Sequence, residues 1–242
     1  MTKPVVKPYK TEQSKKEEVT SMFDNIAARY DFMNHFLSLG IDKIWRRKAV
    51  RLLKSVEPQN ILDIATGTGD FAIALLKLKP KKIIGMDISK GMLEVGKRKM
   101  HERKVDHIID MQHGDSESLP FEDGTFDAVT VAFGVRNFEN LKQGLSEMLR
   151  VTRIGGKIVI LEFSKPKKFP VKQTFSIYSK YVIPFFGKNI AKDEKAYAYL
   201  PESVSVFPEG TEFTDILTAL GYNNVKAEIV SGGIATLYTG IK

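Results

Sequence analysis

The run Asn60 to Asp70, Asn-Ile-Leu-Asp-Ile-Ala-Thr-Gly-Thr-Gly-Asp, carries an apolar stretch into a Gly-x-Gly turn. At Gly67 and Gly69 the absent side chains let backbone and ligand approach closely, and a helix opening after such a turn presents free N–H groups. The spacing Gly67-x-Gly69-x-x-Ala72 also fits the looser dinucleotide fingerprint, and Asp87 closes the next apolar run where a ribose-binding acid is expected, so NAD is open on spacing alone. Charge favours a different ligand. A pyrophosphate would rest on the helix N-terminus, where Asp63 and Asp70 flank the turn and repel it, whereas two carboxylates suit the ammonium and sulfonium groups of S-adenosylmethionine. Asp87 can accept hydrogen bonds from both ribose hydroxyls, and in Gly114-Asp115-Ser116 the Asp115 carboxylate can accept from an adenine amine while Ser116 bonds a ring nitrogen.

To bring these residues together, the chain needs strands that end at one edge. Candidate strands run over 60–65, 82–87, 107–113, 126–133 and 157–163, with helical patterns after Asp70, Ser89 and Asn140. Such alternation predicts a parallel sheet covered on both faces. A helix over 211–220 then precedes two runs, 225–231 and 235–241, joined through Gly232 and Gly233, which read as a hairpin. Five parallel strands closed by a hairpin are similar to an α/β class I methyltransferase fold, Rossmann-like, with seven strands in a mostly parallel sheet.

Composition narrows the chemistry further. The 242 residues are 43% hydrophobic and 27% charged, which suits one globular domain, and the absence of cysteine excludes thiol nucleophiles, zinc ribbons and disulfides. Four scattered histidines give no cluster with ligand spacing, so no metal is expected. No apolar run reaches the length of a bilayer span and the lysine-rich start is unlike a secretory signal, so a cytoplasmic protein is expected. The net charge of +8 concentrates in the first 50 residues and in 165–207, where Phe169, Phe175, Tyr178, Tyr181, Phe185, Phe186, Tyr197 and Tyr199 stand among lysines.

Longer blocks carry a resemblance that covers nearly the whole chain. They are Tyr30-Asp31-Phe32-Met33-Asn34 with Ser38, Gly40 and Trp45; Asp63 to Asp70; Leu119-Pro120-Phe121; and Phe133-Gly134-Val135-Arg136-Asn137. Arg150-Val151 with Gly155-Gly156, Leu161-Glu162-Phe163-Ser164, Tyr199-Leu200 with Glu202-Ser203, and Phe207-Pro208 follow. In these the chain resembles the ubiquinone/menaquinone biosynthesis C-methyltransferases. The resemblance implies S-adenosyl-L-methionine as methyl donor and a polyprenylated quinol as substrate: demethylmenaquinol, with 2-methoxy-6-polyprenyl-1,4-benzoquinol as the alternative. It implies cofactor contacts at Thr68, Asp87, Asp115 and Ser116. Three positions depart from the family pattern: Ala132 stands where many members have Ser, Asp42 where a His is usual, and Arg153-Ile154-Gly155-Gly156 replaces a Lys-Pro-Gly-Gly turn, a structural change.

Methylating a ring carbon requires an electron-rich ring, hence a deprotonated quinol hydroxyl. For this, Arg136 is the candidate fixed cation, Asn137 a hydrogen-bond donor, and Tyr30 a proton donor or relay; Tyr30 also shares helical spacing with Phe23, Ile26 and Ala27 and reads equally as packing. His35 is left as an ordinary residue. The expected organisation is a helical extension over 1–55, a cofactor-binding core over 56–164, a basic aromatic substrate lid over 165–210, and the helix and hairpin over 211–242. Lysines and aromatics in the lid suit peripheral contact with the anionic inner face of the cell membrane. A nucleic-acid methyltransferase is the alternative enzyme and a non-catalytic cofactor-binding or RNA-binding protein the alternative of another class. A homo-oligomer is compatible with the sequence.

Overall fold

A computed structural model describes residues 5–182 and 194–242. The elements used below are α1 (Lys15–Leu37), α2 (Ile41–Leu52), β1 (Asn60–Ile64), α3 (Asp70–Leu75), β2 (Lys82–Asp87), α4 (Lys90–Glu102), β3 (Ile109–His113), β4 (Phe126–Ala132) and α5 (Leu141–Val151). They continue with β5 (Thr152–Phe163), α6 (Val171–Ile177), α7 (Glu194–Val206), α8 (Thr211–Ala219), β6 (Asn223–Val230) and β7 (Ala235–Ile241). The seven strands form one sheet in the order β3-β2-β1-β4-β5-β7-β6. β1 to β5 are parallel and β7 and β6 antiparallel, as the alternation and the Gly-Gly hairpin predict.

After the exposed Asn60, β1 is buried on both faces and apolar except for Asp63, because helices cover both sides. One apolar layer joins Trp45, Leu53, Phe71 and Leu75 to Ile61, Ile83 and Val159; the other joins Leu62, Val129 and Ile160 to Leu145, Met148, Phe213 and Tyr238. A third cluster lies outside the sheet, where Val19, Met22, Ile26 and Met33 of α1 meet Met92 of α4 and Tyr199 of α7.

The order in which successive strands are added reverses between β1 and β4, and the carboxyl ends flanking that reversal are where open α/β sheets bind ligands. The loops there are packed tightly. A Cβ on Gly134 would come within 2.6 Å of Ala65 Cβ, so the loop after β4 rests on the loop after β1 only because position 134 lacks a side chain. Beneath the loops, Gly69 abuts Met100, Gly96 and Gly85 abut Met111, and Gly114 abuts Met86.

The segment Arg153-Ile154-Gly155-Gly156 differs from its reading as a turn. It belongs to β5, where the pairing with β4 slips between Phe126↔Thr152 and Ala128↔Lys157. The slip is a bulge: Gly155 has φ 76° and donates to the Lys242 carbonyl at 2.9 Å, tying the residue after β7 to the start of β5. No helix among the described residues is long and apolar enough to cross a membrane.

Candidate active site

A groove crosses the carboxyl ends of β1 to β4, lined by Ala65, Gly67, Met86, Asp87, Ile88, Gly114, Asp115, Ser116, Phe133 and Asn137. Four of the sequence-predicted cofactor residues, Gly67, Asp87, Asp115 and Ser116, meet here. Gly67 has φ 59° and a Cβ there would point into open space, which leaves its backbone accessible from the groove. Its N–H donates to Asp87 Oδ2 at 2.7 Å, while Asp87 Oδ1 accepts from Ser89 N at 2.8 Å. Asp87 therefore ties the β1 and β2 loops together and is not a simple helix cap. Burial pushes its carboxyl up to about 6 despite the N–H donors of Ser89 and Gly67.

Asp63, Thr68 and Gly69 are placed differently from expectation. Asp63 lies beneath the loop, 1% exposed, with its two oxygens accepting from Thr66 and Thr130 hydroxyls at 2.6 Å each. Burial raises its carboxyl to about 6 against those two hydrogen bonds. Thr68 donates to Asp31 and accepts from Lys99 Nζ at 3.1 Å, facing α1 and α4 rather than the groove. Gly69 supplies the left-handed backbone, φ 83°, that starts α3, and packs on Met100.

The expected acidic flank is thereby revised. Asp70 contacts Lys99 at 2.9 Å, His35 at 3.2 Å and Arg46 at 3.8 Å. Although burial opposes it, Arg46 and Lys99 hold its carboxyl below the usual range. Neither Asp63 nor Asp70 presents free negative charge to a ligand, and the acids that line the groove are Asp87, Asp115, Glu117 and Glu139.

His35, Asp42 and Asp70 bring ligand-type atoms within 4.8 Å of one another, a cluster their sequence spacing did not reveal. Arg46 contacts Asp42 and Lys99 contacts Asp70, so these carboxylates are already balanced by fixed cations. Asp42, which departs from the family pattern, pairs with His35 at 2.9 Å and accepts from Ser38 at 2.6 Å.

Beside the groove lies a larger cavity of about 640 Å³. Its walls come from α1 (Met22, Ile26, Asn34), α2 (Trp45), the β5 end (Phe163), α6 (Phe175) and α7 (Tyr199, Val204), and Arg136 reaches into it. Phe23, Tyr30 and Phe133 line both spaces. Phe133 takes a left-handed backbone, φ 59°, stabilised where Arg136 Nη1 donates to its carbonyl. Arg136 Nη1 also donates to Glu162 Oε1 at 2.9 Å, and Glu162 is fully buried. Burial pushes the Glu162 carboxyl upward while Arg136 draws it back. Asn137 accepts from the Tyr199 hydroxyl at 3.1 Å and so braces the loop against α7. Tyr30 and Tyr199 are each pushed up to about 12 by burial and stay neutral phenols near neutral pH.

Four polar side chains of α1 fasten it over these loops. Lys15 Nζ donates to the Arg136 and Phe138 carbonyls at 2.8 Å, its ammonium brought down to about 8 by burial and by the charge of Arg136. Lys16 pairs with Asp115 at 2.7 Å, Asp24 accepts from Ser89 at 2.6 Å and from Gly91 N at 2.8 Å, and Asp31 meets Thr68 and Lys99. Lys15, Lys16, Asp24 and Glu162 escaped sequence reasoning, since their partners are remote in the chain. Only the Leu161 to Ser164 block had pointed to one of them.

The sheet order and the Gly-x-Gly loop at the strand reversal define a class, the S-adenosylmethionine-dependent methyltransferase fold. An Aquifex aeolicus SAM-dependent methyltransferase superposes with a TM-score of 0.56 at 18% identity, covering 76% of this chain and 81% of that one. The cyclase SpnF superposes at 0.63 with 18% identity over 95% and 97%, so the fold alone does not settle the reaction. Sequence is more specific. The ubiE/COQ5 methyltransferase family model matches residues 11–242, and the chain belongs to that family. It is 51% identical to a demethylmenaquinone methyltransferase of Bacteroides fragilis over 98% of this chain and 97% of that one. It is 45% identical to the ubiquinone/menaquinone biosynthesis C-methyltransferase UbiE of Geotalea uraniireducens over 94% and 97%.

The groove fits the cofactor of this class: strand-end carboxylates at Asp87 and Asp115 for hydroxyl and amine groups, apolar Met86 and Ile88 for a ring, and an open backbone at Gly67. Its volume is about 80 Å³, below the roughly 300 Å³ at which ligand pockets begin. α1 roofs it through Lys16, Val19 and Phe23.

Two predictions follow from the buried acids. The raised carboxyl of Asp63 means the folded state takes up a proton between roughly pH 4 and 6 that the unfolded chain releases, so this group's penalty on stability is full above pH 6 and fades on acidification. Asp63→Asn, with the Thr130 hydroxyl free to turn to the Leu62 carbonyl, gains about 1–2 kcal/mol over the unchanged protein at pH 7.5 and nothing at pH 4, measured by denaturant unfolding. If Asp87 is the ribose acceptor expected from the sequence, Asp87→Ala weakens S-adenosylmethionine binding by about 2–3 kcal/mol in calorimetry; an unchanged affinity would reduce Asp87 to a loop tie.

Proposed function

We propose that the protein methylates a ring carbon of a polyprenylated quinol, demethylmenaquinol, with S-adenosyl-L-methionine as donor. The carrying observation is the apolar cavity of about 640 Å³ sharing the wall of Phe23, Tyr30 and Phe133 with the cofactor groove. A quinol head against that wall lies next to the donor, and an isoprenoid tail has the Met22, Ile26, Phe175 and Val204 surfaces to follow. The name of the Bacteroides fragilis relative supports the same substrate.

The cofactor supplies an electrophilic methyl on a sulfonium. The protein's part is to make the ring carbon nucleophilic and hold it in line. As the quinol O–H proton leaves, negative charge grows on the oxygen, and the Arg136 guanidinium, held by Glu162 and the Phe133 carbonyl, faces the cavity as a fixed cation. The Tyr30 phenol, kept protonated by burial, donates to the same oxygen. The ring carbon then gains the methyl, its C–H proton leaves to restore the aromatic ring, and the oxygen takes a proton back, so one proton is released overall. Asn137 acts on this reading as a brace, because its amide already serves Tyr199.

We infer peripheral contact with an anionic bilayer at the cavity mouth. Leu39, just after α1, lines the cavity and is exposed; Phe36 near the end of α1, Phe169 before α6 and Ile177 at its end are exposed next to lining residues in the chain, and Tyr178 joins the two segments by donating to the Leu37 carbonyl. Lys168 and Lys172 are exposed nearby, whereas Lys167 pairs with Glu209 at 3.3 Å and Lys165 reaches the Ser205 carbonyl. The end of α1 thus joins the lid segment singled out in the sequence; Phe185 and Phe186 lie outside the described residues.

Incubation with labelled S-adenosylmethionine and reduced demethylmenaquinone, followed by mass spectrometry of the lipid, tests the assignment; methyl incorporation into RNA instead would overturn it. In the same assay Arg136→Lys lowers kcat at least about tenfold with cofactor affinity unchanged, and normal turnover would make Arg136 purely structural. On liposomes, Lys168→Glu with Lys172→Glu weakens binding at low salt, and Phe36→Ser with Phe169→Ser removes the salt-resistant part; both pairs spare activity on a short-tailed, soluble quinol.

A further inference from the structure

Three buried side-chain atoms lack a hydrogen-bond partner among the described residues: Arg46 Nε, Arg136 Nε and Asn34 Nδ2. Arg136 and Asn34 both line the large cavity. Native proteins seldom leave buried donors unmade, and two such N–H groups in a mainly apolar chamber call for acceptors that the protein does not supply.

The two donors come from different walls. Arg136 projects from the loop after β4, beside the groove, while Asn34 lies on α1. Asn34 lies four positions after Tyr30, so the two share one face of the helix, about 6 Å apart along its axis at 1.5 Å per residue. Two oxygens para to each other on one aromatic ring are separated by a similar length. A ring whose first oxygen meets Tyr30 and Arg136 at the partition would carry its para oxygen one helical turn along α1, toward Asn34. The amide's last torsion is soft, which lets Nδ2 turn to an acceptor in the cavity.

Resting on the quinol reading above, we propose that Asn34 binds the second oxygen of a 1,4-dihydroxylated ring, so that the site distinguishes a quinol from a ring bearing a single hydroxyl. Asn34 is then a specificity residue. It donates to the oxygen that is not activated and fixes which ring carbon faces the donor methyl.

The experiment compares the unchanged protein with Asn34→Leu and Asn34→Ala on two tail-matched rings, a 1,4-naphthoquinol as substrate and a 1-naphthol as competitive inhibitor. Melting temperature and S-adenosylmethionine affinity serve as folding controls. In the unchanged protein, the quinol KM lies at least tenfold below the naphthol inhibition constant. In both variants the quinol KM rises tenfold or more, while the naphthol constant and cofactor affinity stay within twofold, so the preference disappears. The alanine variant carries the test if leucine prevents folding. Equal weakening toward both rings, or a preserved preference, would overturn the proposal. An unchanged protein that methylates no quinol at all would instead bring down the substrate assignment on which it rests.

Discussion

The ties along α1 govern the arrangement of both chambers. Lys15, Lys16, Asp24 and Asp31, placed at successive heights on one helix, reach the loops after β4, β3, β2 and β1, so a single rigid rod is fastened across the carboxyl edge of the sheet. A capping box at Ser14 and Glu17 fixes where the rod begins. Because its face supplies the roof of the groove and a wall of the cavity, neither chamber has a defined shape without it. Individually such partly exposed pairs contribute little; their effect lies in acting on one body, since releasing the helix breaks them together.

Under the rod, the Arg136–Glu162 pair meets a different condition. Both side chains are almost wholly removed from water, with exposures of 8% and 0%, and removal of one partner would strand the other. The carboxylate is satisfied by three donors: the guanidinium and the backbone N–H groups of Arg136 and Phe163. The guanidinium keeps Nε unspent. A cation held so firmly needs no rearrangement when charge develops beside it, and this is the property a preorganised site exploits.

How far such an arrangement is legible in one chain of letters depends on the range of the interaction. The strand–helix alternation, the Gly-x-Gly turn and the Gly232-Gly233 hairpin are local patterns and were readable. Whether a carboxylate beside that turn faces ligand or core is not local. Asp63 and Asp70 bracket the glycines in sequence, yet the strand's alternation sends Asp63 inward to Thr130, while Lys99, 29 residues away, claims Asp70. The same blindness hid Asp24, whose partner Ser89 is 65 residues distant, and the cluster at His35. Recurring blocks such as Tyr30 to Asn34 mark that something matters there, and the geometry supplies what it touches.

The glycines packed on thioethers have a chemical side. With no cysteine in the chain, methionine sulfur is its most readily oxidised atom, and Met86, Met100 and Met111 are pressed against Gly114, Gly69, Gly85 and Gly96 beneath the cofactor loops. A sulfoxide at any of these would insert a polar, chiral oxygen into a contact with no spare volume, tilting the loop above it. At exposures of 1% to 5% the sulfurs are shielded while the fold is closed. Their oxidation would therefore follow transient opening of the loops, and the activity lost to peroxide over time becomes a clock for how often this edge of the sheet breathes.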